Sequence, residues 1–293
     1  MASGLSASTR GALWMIAACL QLTAMLAMVR VVSGDLPVLQ IVALRNAFSL
    51  LVMLPWLTRV GLMAVKTPRV GMHCLRALLF VSAMVTSVVS IGGMPLADVV
   101  SIGFTAPLFA TAGAALFLHE KVGVRRWVAV LVGFGGVLVI LRPGATLAAV
   151  PLLYPACALA TAVLTACGVM IFKSLSRTDS PATIVLYIYM LALPASVVPA
   201  LFVWQPLTWE LLGWTAAMGV LGTTGHLCLV RSYATAEASA VLPFDFSRML
   251  FATAIGFFFL AETPDLWTWV GAAIIFASIL YTARRGAVAS HHP

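Results

Sequence analysis

Apolar residues run through this chain in long blocks, and the polar residues between them come as short punctuating groups. The blocks fall at about 11–30, 37–58, 74–93, 96–118, 126–141, 150–172, 182–204, 209–230, 238–260 and 266–283, of which 126–141 is the shortest. Each is close to the roughly 17–25 residues that a helix needs to cross a bilayer. Lipid offers no partner to backbone N–H and C=O groups, so a crossing segment is either a helix or a strand of a closed barrel. Barrel strands alternate apolar and polar positions with period two, and these runs do not. The pattern predicts an all-α polytopic membrane protein of ten transmembrane helices.

Composition narrows the class. Of 293 residues, 62% are hydrophobic and 9% charged, against about 25% charged in a soluble domain. The net charge of +8 does not point to a nucleic-acid partner, because the 17 Lys and Arg are dispersed with no basic stripe. They report orientation instead. With the N-terminus in the cytoplasm, the inner side holds Arg10, Arg59, Lys66, Arg69, Arg76, Lys121, Arg125, Arg126, Lys173, Arg177, Arg231, Arg284 and Arg285. The outer side holds only Arg30 and Arg142. This asymmetry places both termini in the cytoplasm, and the expected location is the cytoplasmic (inner) membrane. Seven tryptophans (Trp14, Trp56, Trp127, Trp204, Trp209, Trp267 and Trp269) fall near span ends, where the interfacial belt lies. The opening "MASGLSASTRG" is polar and basic and leads into the first block with no A-x-A-like cleavage site, so a retained first helix is expected. The five cysteines form no CxxC pair or Cys/His cluster, so neither a disulfide nor a metal site is expected, and nothing calls for a cofactor.

The chain writes LFATA twice, as "PLFATAGAALFLHE" (107–120) and "MLFATAIGFFFLAE" (249–262), each copy ending in a glutamate. Aligned without gaps at a shift of 142, residues 108–142 and 250–284 agree at 13 of 35 positions, among them Glu120/Glu262, Trp127/Trp269 and Arg142/Arg284. Apolar helices match by chance at Leu, Ala and Val, but not easily at Glu, Trp and Arg in one register. A weaker match at a shift of 144 pairs Pro37 with Pro181 and Pro55 with Pro199. The reading is two five-helix repeats, 11–142 and 150–284, forming one transmembrane domain. Five is odd, so the second copy enters the membrane inverted. Inverted repeats have two nearly equivalent packings, one open to each side, which is the basis of alternating access.

The segments "MPLADVVSIGFTAPLFATAGAALFLHEKVGVRRWVAVLVGFGGVLVILRPG" and "RSYATAEASAVLPFDFSRMLFATAIGFFFLAETPDLWTWVGAAIIFASILY" resemble the two halves of an EamA-type carrier of the drug/metabolite transporter superfamily. The resemblance covers nearly the whole chain and is nearest the bacterial riboflavin and S-adenosylmethionine uptake branch. It implies ten helices, both termini inside, and movement of a small organic metabolite.

Few ionisable groups lie deep in a span. Arg45 is near the middle of the second, and Asp245 and Arg248 lie in the ninth at i, i+3 spacing. Charges in a bilayer interior cost a few kcal/mol each on insertion scales, so these face the bundle interior. They are either a structural ion pair beside a carbonyl-capping Arg45, or a substrate site with an excess positive charge for a carboxylate or phosphate. His226 follows Gly219, Gly222 and Gly225 and is either a proton carrier or a hydrogen-bonded core histidine. Gln21, Tyr187, Tyr189, Phe244 and Phe246 offer hydrogen bonds and stacking to an aromatic substrate, or simple bundle packing. Glu120 and Glu262 end spans, and Asp98 and Glu237 begin them, so these four are assigned to helix capping or gating. Pro107 and Pro243 are expected to kink the fourth and ninth spans. "GFGG" at 133–136 follows no strand and is not a phosphate loop.

No HExxH, DxxxD or GxSxG occurs and the nine acids are scattered, so an enzyme is not expected. The reading is a secondary transporter of a small metabolite, with protons as a candidate coupling ion and a monomer or weak homodimer as its form. The alternatives are a broad-specificity drug or amino-acid exporter of the same fold, and a non-transporting receptor or scaffold.

Overall fold

The computed structural model describes residues 7–60, 67–117, 124–141, 150–175, 178–179, 181–236, 241, 244–263 and 265–289. Among them there are eleven α-helices and no strand. In chain order these are α1 (Ala7–Val32), α2 (Val38–Val60), α3 (Val70–Gly93), α4 (Leu96–Gly103), α5 (Ala106–Phe117) and α6 (Val124–Leu141). The second half of the chain adds α7 (Leu153–Leu175), α8 (Pro181–Ala200), α9 (Trp209–Thr235), α10 (Ser247–Leu260) and α11 (Leu266–Ala289). Among the described residues five stretches, Ala7–Val32, Val38–Pro55, Val70–Gly93, Leu153–Phe172 and Thr183–Val203, are long and apolar enough to cross a membrane by length and composition. The 26 residues of α1 reach about 39 Å at 1.5 Å per residue, past the roughly 30 Å hydrocarbon core.

The outer surface is apolar in the way lipid requires. Leu78, Leu131, Phe258 and Phe259 are 59%, 68%, 76% and 81% exposed on their helices, and a soluble monomer does not tolerate such a surface. The buried interior is packed by Met15, Ile41, Met94, Leu108, Leu186, Met218 and Met249.

Two expected spans are broken rather than continuous. The fourth is α4 and α5, separated by a turn at Phe104–Thr105. Pro107 has no N–H to give the Gly103 carbonyl four residues back, and its ring crowds that carbonyl, so the helix yields there. The ninth turns at Phe246, just before α10. Phe104 and Phe246 are equivalent at the 142-residue shift, and both turn with nearly the same dihedrals, φ −64°, ψ −10° and φ −64°, ψ −18°. Pro243 lies outside the described residues.

Counting α4 and α5 as one fourth helix, the interhelical contacts exchange when the halves are swapped. The first helix of each half lies on the third of the other (α1 on α9, α7 on α3), and the second on the second (α2 on α8). The fifth helices, α6 and α11, cross through small residues. A Cβ added at Gly136 would sit 2.8 Å from the Gly271 carbonyl, and one at Gly271 2.5 Å from the Gly136 carbonyl. The backbones therefore touch where a side chain would hold them apart. Phe104 and Phe246 stack on each other across the middle, ring centroids 5.6 Å apart.

Candidate functional site

Arg45 projects from α2 into the bundle and is 8% exposed. Its guanidinium lies over Gly222 of α9, with Nε and Nη2 each 3.6 Å from where a Cβ would be. Met25 Sδ lies 3.0 Å from the same point, so a side chain at 222 would have to displace the end of Met25. The Tyr189 phenol of α8 lies beside Arg45, near Ser49 and Thr223. Among the described residues no hydrogen-bond or carboxylate partner holds the Arg45 guanidinium. It does not cap carbonyls.

Asp245 and Arg248 flank the Phe246 turn and pair at 2.8 Å, with 23% and 28% of their side-chain surfaces accessible. The thiol of buried Cys19 on α1 sits 3.5 Å from the same carboxylate oxygen. Arg248 Nε is buried with no partner among the described residues. The acid thus neutralises Arg248 and leaves Arg45 uncompensated.

His226 donates from Nδ1 to the Gly222 carbonyl at 2.7 Å, since a carbonyl oxygen only accepts. It stands within electrostatic reach of Arg45, Arg248 and Arg76. Arg76, one of the inner-side basic residues, lies inside α3, which starts at Val70. Its Nη1 donates to the Ile184 carbonyl at 3.3 Å and its guanidinium lies over the Phe172 ring at 4.9 Å. It could have been recognised from sequence as a charge inside an apolar run. Arg45, Arg76, Tyr189, His226 and the Asp245–Arg248 pair thus come from α2, α3, α8, α9 and the start of α10, helices of both halves.

Other candidates are occupied elsewhere. Gln21 spends its amide on the α1–α9 contact, donating to Cys228 Sγ at 3.5 Å and accepting from Thr224 at 2.5 Å, and it also donates to the Ala17 carbonyl of its own helix at 3.2 Å. Phe246 is sandwiched between Phe104 and Phe276, whose ring lies 4.3 Å away. Phe244 is 40% exposed. Tyr187 stacks on His73 rather than near Arg45.

The helix-end acids hold the bundle's ends. Glu262 Oε2 accepts from the Leu96 N–H at the start of α4 at 2.8 Å, and Oε1 faces Arg30 Nη2 at 3.7 Å. Arg30 also donates to the Ile91 and Met94 carbonyls. Asp98, in the first turn of α4, accepts from Thr268 at 2.6 Å. Glu120 and Glu237 lie outside the described residues. Among the described residues no three His, Cys, Asp or Glu side chains gather as a metal site needs.

The EamA-like transporter family matches this chain twice, over residues 9–142 and 153–284. The chain is similar to the riboflavin transporter of Vibrio cholerae serotype O1, at 33% identity over 280 residues, 93% of this chain and 92% of that protein. It is similar to the S-adenosylmethionine uptake transporter of Rickettsia bellii at 29% identity over 241 residues, 81% of this chain and 80% of that one. A solved crystal structure at 17% identity shares the fold, with a TM-score of 0.62 over 94% of this chain and 98% of its own. The family and these named relatives are transporters, not enzymes. Apolar-surfaced helices that bury a few charged side chains, and two matches to one family, lead to one conclusion: the chain belongs to the EamA-like transporter family and is a multi-pass membrane protein of metabolite transport.

Proposed function

We propose that this protein is a secondary transporter that carries a small organic metabolite bearing a carboxylate or phosphate, by alternating access around the Arg45 site. One observation carries the reading: a guanidinium 8% exposed in the middle of the bundle with no charge partner among the described residues. Such a group is costly in a membrane interior and is kept where something anionic meets it. Tyr189 and the neighbouring aromatics suit a cargo with a planar ring, a class that includes the riboflavin named for one relative. The S-adenosylmethionine named for another carries a carboxylate and an aromatic base.

Ten spans arranged as two inverted repeats, 11–142 and 150–284, provide the motion. The exchange of helix contacts between halves and the Phe104–Phe246 stack support this arrangement. The basic-residue count supports cytoplasmic termini, which puts the Arg30–Glu262 contact at the outer end. His226, Asp245, Arg248 and Arg76 shape the electrostatics of the site, and Glu262 works at its outer gate.

Flux in proteoliposomes tests the proposal. The purified protein should drive saturable movement of at least one ring-bearing compound from a panel of riboflavin, its phosphate and S-adenosylmethionine, with the phosphate- or carboxylate-bearing members preferred over uncharged riboflavin. Panel-wide flux no greater than in protein-free vesicles would refute it, and flux favouring hydrophobic cations would favour a drug-exporter specificity.

A further inference from the structure

A second buried polar cluster lies at the end of the bundle where α3 begins, one turn from Arg76. The His73 and Asp179 side chains are 1% and 3% exposed, with Nε2 and Oδ2 3.0 Å apart. Thr67 donates its hydroxyl to the same Oδ2 at 2.9 Å. The Tyr187 ring of α8 stacks on the imidazole at 4.4 Å between centroids. His73 belongs to the first half of the chain, whereas Asp179, between α7 and α8, and Tyr187 belong to the second. The contact therefore ties the two halves together at one end.

The neighbouring charges are accounted for. From the stretch leading into α3, Arg69 is turned onto the Ser174 carbonyl and hydroxyl of α7, at 2.9 and 3.0 Å. Arg76, one turn beyond His73, is held by the Ile184 carbonyl and Phe172. Tyr187 is the titratable group from α8. The side chains of Lys173 and Arg177 lie outside the described ones. Asp179 is thus the one acid on His73 among the described residues.

A carboxylate only accepts, so Nε2 carries the hydrogen that points at Asp179. Nδ1 is buried and meets no partner among the described residues. Nδ1 is therefore the atom that gains or loses a proton. Without it, His73 and Asp179 share a hydrogen bond from a neutral donor. With it, the contact becomes a charge-assisted pair of about twice the strength. The 144-residue shift that aligns Pro37 with Pro181 sets Asp35 opposite Asp179. Asp35 is exposed at its own end, and no side-chain partner engages it among the described residues. The histidine-bearing contact is present at one end and missing from its counterpart.

We propose that His73 and Asp179 form a proton-binding site that fastens the cytoplasmic end of the bundle. A proton from cytoplasmic water adds to Nδ1, and the resulting ion pair holds the two halves closed. When that end opens, His73 and Asp179 part and the same proton returns to the cytoplasm. The location of the site and its consequence for flux rest on the transport reading above: cytoplasmic acid holds the carrier shut on that side.

The test reads a distance rather than flux. Spin labels at V70C and T178C, two exposed positions on either side of the contact, are placed in a chain with its native cysteines replaced by serine or alanine. Pulsed dipolar spectroscopy in nanodiscs follows the separation from about pH 5.5 to about pH 8. The expected result is a short distance at low pH and a longer population appearing as pH rises, with the closed-to-open ratio changing roughly tenfold. His73→Gln keeps an N–H for Asp179 but cannot titrate, so its distance distribution should not change with pH. Asp179→Asn should abolish the step as well, and it serves if His73→Gln does not fold. A distribution independent of pH in the unmodified contact, or a step that survives both substitutions, would overturn the proposal. No transported compound enters this measurement, so failure of flux with an intact pH step would sink the transport reading and leave the proton site standing.

Discussion

At the scale of single residues, the site turns on which charge is left over. Asp245 lies 2.8 Å from Arg248 and satisfies it, whereas Arg45 has no such neighbour among the described residues. A charged hydrogen bond contributes about 1.5–3 kcal/mol, so Arg45→Gln should raise the transport Michaelis constant roughly ten- to a hundredfold with membrane expression near normal. Asp245→Asn should leave an anion bound as well or better, because it frees Arg248. Both are read from concentration-dependent uptake, and unchanged affinity in Arg45→Gln would make that arginine structural. Arg45 and Arg248 were legible in the sequence because a charge inside an apolar run is conspicuous. For Gln21 and Phe246 the choice between substrate contact and bundle packing stays open in the sequence, because spacing along a chain does not say which neighbour a side chain meets. Gln21 meets Thr224, and Phe246 meets Phe104 and Phe276. The third apolar block begins at 74 and leaves His73 outside it, whereas α3 starts at Val70 and carries His73 on a buried face.

Among the elements, the spans were visible and their breaks only partly so. Hydropathy marks where a helix must be, since an apolar run has few alternatives in lipid. The turns at Phe104 and Phe246 use ordinary right-handed dihedrals open to any residue, so they leave no compositional mark at the turn itself. Pro107 signals the first from three residues away. The short helix α4 depends on outside help at its N-terminus, where Glu262 accepts from Leu96. Glu262→Ala removes that acceptor and the Arg30 contact together. It should cost about 1 kcal/mol, the usual value of a lost cap, seen as a lower melting temperature of the detergent-solubilised protein, while Glu262→Gln should recover most of it. The α6–α11 crossing allows less change. Gly136→Val places atoms where the Gly271 carbonyl and the Ile275 Cγ1 lie, each 2.8 Å from the new Cβ. Overpacking of this kind costs about 1–3 kcal/mol, and a melting temperature within error of the parent would show that the two helices slide apart freely.

At the scale of the whole molecule, orientation and motion are linked. If the basic-residue asymmetry sets the topology, a cysteine at Gly34 or Asp265 should react with an impermeant maleimide added to intact cells, and one at Thr178 should not. The reverse pattern would invert the assignment of the two ends. The central claim is that the halves separate alternately at each end around one site. The Arg30–Glu262 contact joins the end of α1 to the end of α10 and the start of α4, so it must part whenever the outer end opens. The most direct measurement replaces both residues with cysteine, bridges them with a reducible thiol crosslinker, and follows flux in proteoliposomes before and after reduction. Alternating access requires that the bridged carrier pass no cargo and that reduction restore transport. Full-rate flux through the bridged protein would contradict it.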